Sequence, residues 1–85
     1  MRLRVLVHLK SGVLDPEGET IKRALHQMGY LSVEQVRTGK LLEIHLKEES
    51  EEQARKTVEE FSRRLLANPV IETFEIHLLD EKSKD

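Results

Sequence analysis

Residues Arg2–Lys10 alternate without a break. Leu3, Val5, Val7 and Leu9 fall on one side, and Arg2, Arg4, Leu6, His8 and Lys10 on the other. A period of two in apolar residues is the mark of a half-buried strand. One side of that strand needs a covering layer, and the rest of the chain must supply it.

The stretch Lys10-Ser11-Gly12-Val13-Leu14-Asp15-Pro16-Glu17-Gly18 closes this strand and opens a helix. Asp15 suits the N-cap, because its carboxylate can accept from free amides in the first turn. Pro16 suits the first helical position, where a missing N–H costs nothing. Two features exceed what a connecting loop needs. Val13 and Leu14 are aliphatic, and Gly12 and Gly18 flank them. Glycine in a first helical turn is intrinsically unfavourable, so these glycines are expected to let another backbone or side chain come close.

Ile21, Ala24, Leu25 and Met28 then recur at helical spacing, and Gly29 is placed to end the helix in the left-handed conformation. Val33–Arg37 reads as a short second strand with a weaker pattern. Thr38-Gly39-Lys40 reads as a turn into a third strand, in which Leu42, Ile44 and Leu46 alternate with Leu41, Glu43, His45 and Lys47. Ser50-Glu51-Glu52-Gln53 is a capping box. The helix after it carries Ala54, Val58, Phe61 and Leu65 on one stripe and charge elsewhere, with acids early and bases late, as the helix dipole favours. Asn68-Pro69 stops it. Phe74, Ile76 and Leu78 mark a last strand, and residues 81–85 form a polar tail after a single domain over 1–80.

The predicted order is β-α-β-β-α-β: an α+β, two-layer, ferredoxin-like sandwich, with an antiparallel sheet and two helices on one face. The expected strand order is 4-1-3-2, with pairing of the last strand to another chain left open.

Composition narrows the function. The chain has 85 residues, 38% of them hydrophobic, with two Phe, one Tyr and no Trp, so its core is aliphatic and thin and would gain from burial against other chains. It has no Cys, which removes disulfides and thiolate metal sites. The 14 basic and 16 acidic residues give a net charge of −2 and no basic field for nucleic acid. The central strands also lack the aromatics on which an RNA-binding sheet of this topology stacks bases. No apolar run reaches the roughly 20 residues of a membrane span, so a cytoplasmic protein is expected.

His8, His45 and His77 share the outward face, but strand one separates the other two by about 9.6 Å, too far for one metal ion. That face also carries Leu6, Leu41 and Leu79 beside Arg2, Arg4, Glu43 and Glu75, and suits either solvent or another subunit. Ser11 has no evident base, the glycines lack the Lys-Ser/Thr of a phosphate loop, and no paired acid–base set exists. No active site belonging to this chain alone is expected.

Three stretches, Lys10–Ile21, Val36-Arg37-Thr38-Gly39-Lys40 and Leu65-Leu66-Ala67-Asn68-Pro69-Val70-Ile71-Glu72, resemble the PurS family, the small subunits of phosphoribosylformylglycinamidine (FGAM) synthase in purine biosynthesis. Length, element order and spacing match end to end. Glu17 departs from the glutamine expected in many members, which touches a local contact only.

The resemblance implies a non-catalytic subunit that forms homodimers or tetramers. It would join the large synthetase subunit, which uses ATP and magnesium, to the glutaminase subunit, supporting ammonia transfer and binding no cofactor itself. Interface candidates are Lys10, Gly12, Val13, Leu14, Asp15, Pro16 and Gly18 in the loop, Arg37, Gly39 and Lys40 beside it, and Asn68 and Pro69 after the second helix. The exposed aliphatics would dock, and Arg37 and Lys40 would be presented to an acidic partner. The alternative is a small ACT-like module that binds an amino acid or similar effector.

Overall fold

The computed structural model describes residues 1–79. Its order is β1 (Arg2–Leu9), α1 (Pro16–Gln27), β2 (Gly39–His45), α2 (Glu51–Phe61), a π turn (Ser62–Leu66) and β3 (Glu72–Leu78). The tail predicted for 81–85 lies outside the described residues.

β1 is the central strand. It pairs antiparallel with β2 (Val5 opposite Leu42) and with β3 (Val5 opposite Ile76), giving the order β2-β1-β3. Its alternation works as read: Leu3, Val5 and Val7 are fully buried. Against them pack Ala54 and Val58 of α2 and Ala67 beyond it, with Leu42, Ile44, Phe61, Phe74 and Ile76 around the margin. The aliphatic core is thus one face of a sheet and one helix.

The last strand pairs within the chain, and the order of the predicted strands four, one and three stands. Predicted strand two does not form. Residues 33–38 belong to no strand, and Thr38-Gly39-Lys40 is no turn, because Gly39 pairs with His8 and Lys40 with Val7. The reason lies in hydrogen bonding. A strand forms when its backbone groups meet a neighbouring ladder. Here the Val33 carbonyl accepts from His26 Nε2 at 2.7 Å, and the Thr38 amide donates to Asp15 Oδ2 at 2.7 Å. Side chains satisfy groups that a ladder would need.

The second difference concerns α1. α2 covers the sheet, but α1 stands off it and buries only Gly18. Its local signals are sound: Asp15 caps its start, and its end is tied by Gly29 N–H to His26 O (3.0 Å) and Tyr30 N–H to Leu25 O (3.0 Å), with Gly29 at φ +99°. Yet Ile21, Met28, Tyr30 and Leu31 remain exposed. The chain is accordingly elongated, 49 × 32 × 14 Å, with a radius of gyration of 16.3 Å. A compact domain of this length would have about 12 Å.

α2 begins at Ser50, whose hydroxyl accepts from the Gln53 amide. It ends by widening: the Ala67 amide reaches back to the Ser62 carbonyl, and the wholly buried Ser62 hydroxyl has no hydrogen-bond partner among the described residues. The basic residues expected in the last turn, Arg63 and Arg64, fall in this π turn.

Candidate functional site

Three stretches distant in sequence meet at one end of the sheet, where β1 leaves and β2 and β3 enter. They are the ones that carried the resemblance.

The first is the loop after β1. The Lys10 amide donates to Ile71 O at 2.8 Å, and the Val13 amide closes a tight turn on Lys10 O at 3.1 Å. Gly12 sits in that turn at φ +87°, a conformation that L side chains resist. Nothing lies within 4 Å of where its side chain would be, so Gly12 serves the turn and not a close approach. Gly18 is the opposite case. A Cβ there would lie 2.2 Å from the Val36 carbonyl oxygen, so the backbone of the second stretch crosses directly over the first turn of α1.

Asp15 joins the two. Only 4% exposed, it accepts from the Gly18 amide at Oδ1 (2.9 Å), from the Thr38 amide at Oδ2 (2.7 Å) and from the Thr38 hydroxyl at about the same reach (3.0 Å). The Thr38 amide, then the Gly18 amide, hold its carboxyl below the ordinary carboxylate range; burial opposes them, and the Thr38 hydroxyl and the Arg37 charge assist. Pro16 stands at the first helical turn, as expected.

Arg37 and Lys40 turn toward their own chain. Arg37 donates to Val13 O (2.9 Å) and Lys10 O (3.4 Å), and Lys40 Nζ to Leu66 O (3.2 Å). Lys40 thereby meets the carbonyl end of the second helical stretch, where a cation is favoured. Gly39 opens β2 with no room for a side chain, since a Cβ would lie 2.8 Å from Val7 O.

The third stretch closes the end of the sheet. Asn68 Oδ1 accepts from the Val70 amide (3.0 Å), and Lys10 Nζ donates to Pro69 O (2.8 Å). The Asn68 amide donates to Glu72 Oε1, and the Glu72 amide donates back to Asn68 O, both at 2.7 Å. All twelve residues named from the sequence therefore lie at or beside this end. Thr38 and Glu72, equally central, were missed as site residues. Their partners are 23 and 4 residues away, and no local motif announces a hydroxyl that will brace a distant carboxylate.

Two aliphatic side chains project from this framework beside exposed Ser11 and Glu17, while Val13 is half-buried. Leu14 is 73% exposed, and Val70 77%. Ser11 is exposed and has no base partnering it among the described hydrogen bonds. The outward histidines sit beside carboxylates: His8 and His77 by Glu75 (3.2 and 3.6 Å), His45 by Glu43 (3.4 Å). Their places opposite Thr73, Arg4 and Arg2 spread them over the sheet, and among the described residues no group of three or more candidate ligands is suited to a metal ion. Nor is any described helix long and apolar enough to cross a membrane.

Comparison with known proteins agrees with this convergence. Residues 2–80 match the family model "PurS: Phosphoribosylformylglycinamidine (FGAM) synthase". The chain is 49% identical over 72 residues to the FGAM synthase subunit PurS of Methanocaldococcus jannaschii, spanning 85% of this chain and 87% of that protein. The crystal structure of M. jannaschii PurS superposes with a TM-score of 0.81 at 48% identity, covering 88% and 90% of the two chains. A chain in the structure of PurLQS from Thermotoga maritima superposes with a TM-score of 0.85 at 36% identity, covering 92% and 95%. None of this supports an effector-binding regulator. The chain belongs to the PurS family of FGAM synthase.

Proposed function

We propose that this chain is the bridging, non-catalytic subunit of an FGAM synthase, working in the cytoplasm. It holds a glutaminase subunit against an ATP- and magnesium-using synthetase subunit, so that ammonia released from glutamine reaches the amidination site. The observation that supports this most is the close match, over nearly the whole of both chains, to a chain of the T. maritima PurLQS assembly. The internal chemistry agrees: hydrogen bonds tie the three family stretches together at one end of the sheet, where Leu14 and Val70 stay exposed.

The same reading makes the chain one domain over 1–80 that is complete only as a homodimer or tetramer. The apolar stripe of α1, with Ile21 and Met28 exposed, supports this, as does the excess of the radius of gyration over that of a compact domain. The docking surface is the end of the sheet, with Val13 and Leu14 as its contacts. Lys10, Gly12, Asp15, Pro16, Gly18, Arg37, Gly39, Lys40, Asn68 and Pro69 form its frame.

Two parallel assays on reconstituted subunits test the role. Omitting this chain should abolish glutamine-dependent FGAM formation and leave ammonia-dependent formation largely intact, because free ammonia needs no bridge. Equal glutamine-dependent rates with and without the chain would refute the proposal.

A further inference from the structure

The two edges of the sheet are finished differently. The Met1 amine donates to Leu46 O and the Leu46 amide to Met1 O, both at 2.9 Å. Alternation along the ladder then turns the backbone groups of Leu42 and Ile44 toward β1, and those of Leu41, Glu43 and His45 away from it. On the other side, Lys10 bonds to Ile71 and Leu79 to Arg2, which leaves Glu72, Phe74, Ile76 and Leu78 facing the outer edge of β3. That edge is partly engaged: the Glu72 amide donates to Asn68 O (2.7 Å), and Arg55 to Ile76 O (3.4 Å). Among the described hydrogen bonds, none reaches the outward backbone groups of Leu41, Glu43 or His45. β2 also lacks a proline, and an open edge of this kind is a template for another strand.

The strand that fits this edge best is β2 of a second copy. An antiparallel two-fold pairing centred on Ile44 sets Ile44 against Ile44 of the second copy and Leu42 against its Leu46, which continues the inner apolar face on which all three are half-buried. On the outer face Glu43 meets His45 of the second copy, and each such pair exchanges both backbone bonds. Neighbouring registers are poorer. Centring on Glu43 would oppose two carboxylates, and centring on Leu42 would set Lys40 against Ile44. We propose that β2 is a self-association edge, pairing antiparallel about Ile44 with β2 of a second copy of this chain, so that one sheet runs through both. The second copy's strand then takes the place expected for a strand over 33–37. This inference deepens the homo-oligomer reading given above and rests on it.

The full chain carrying Glu43→Pro tests the edge. The Glu43 amide points away from β1, so proline there removes no bond of the β1–β2 ladder. Self-association, read by sedimentation equilibrium, should weaken about tenfold or more while the β1 amides keep their protection from hydrogen exchange. Oxidation of single-cysteine variants tests the register separately, since the chain has no cysteine of its own. Ile44→Cys should form a disulfide-linked dimer, because the two-fold brings position 44 opposite itself. Leu41→Cys, which falls opposite Lys47 of the second copy, should not.

A wild-type chain that stays monomeric would overturn the homo-oligomer reading and this inference with it. Undiminished self-association of a folded Glu43→Pro chain would overturn the inference alone and leave the oligomer to another surface. Ile44→Cys that fails to crosslink, or Leu41→Cys that crosslinks as readily, would also overturn it. If Glu43→Pro unfolds the chain, the two cysteine variants decide.

Discussion

The two helices begin alike and end differently. Each has an apolar stripe, and each is capped by a side chain accepting from an amide three residues on, Asp15 from Gly18 and Ser50 from Gln53. α2 turns its stripe onto the sheet and buries Ala54 and Val58. α1 buries only Gly18, where another segment crosses it, and leaves its stripe uncovered. An amphipathic pattern states that a face will be covered, but not by which chain. α2 is stabilised by packing within its own molecule, and α1 keeps Ile21 and Met28 exposed in the single chain.

Matched charge insertions give the largest effect and the sharpest test of that difference. Val58→Asp places a carboxylate in the core and should destabilise the chain by more than about 4 kcal/mol, enough to unfold a domain of this size. Met28→Asp should leave the circular dichroism spectrum unchanged and shift the sedimentation coefficient toward monomer. If Met28→Asp unfolds the chain as Val58→Asp does, α1 belongs to the intramolecular core and the contrast fails.

Gly18 is the one point where α1 is tightly packed. Gly18→Ala would push a methyl into the Val36 carbonyl and should cost about 1–3 kcal/mol by thermal denaturation. A wild-type melting temperature would mean that the crossing segment gives way freely.

Acid should weaken the junction between loop and segment. The Asp15 carboxyl has a lowered pKa in the folded chain, so its contribution to stability is complete above the unfolded pKa and is lost as pH falls through the folded one. Asp15→Asn should therefore be less stable than wild type at neutral pH, and the gap should close as the pH approaches the acid limit. A constant gap across the titration would contradict that linkage.

The smallest effect concerns the π turn that ends the α2 stretch. The Ser62 hydroxyl is buried without a partner among the described residues, so Ser62→Ala should be neutral or stabilising by up to about 1 kcal/mol in denaturant melts. A clear loss would reveal a hydrogen bond that the hydroxyl makes in solution.

These contrasts also explain how far the sequence could be read. β1, both caps and the Gly29 terminus were legible because their causes lie within a few residues: alternation, an acceptor before free amides, a glycine after a stripe. Gly18 was legible as an anomaly, although Val36 as its cause was not. Gly12 looked like the same anomaly and proved to be a turn requirement. Val33–Arg37 misled because its weak alternation resembled a strand, while the bonds deciding its conformation come from His26 and Asp15 elsewhere in the chain. The candidate residues were chosen from three family-like stretches, but the meeting of those stretches at one end of the sheet depended on register, which a linear pattern does not state. Thr38 was read as a turn residue, and its contact with Asp15 escaped notice for the same reason.

Native mass spectrometry of the synthetase and glutaminase, mixed with and without this chain in glutamine and Mg-ADP, tests the central claim most directly. The bridging account predicts a complex containing all three subunits with the wild-type chain, and none joining the two larger subunits when the chain is absent or carries Leu14→Asp. If synthetase and glutaminase form the same complex without it, the chain is not the bridge.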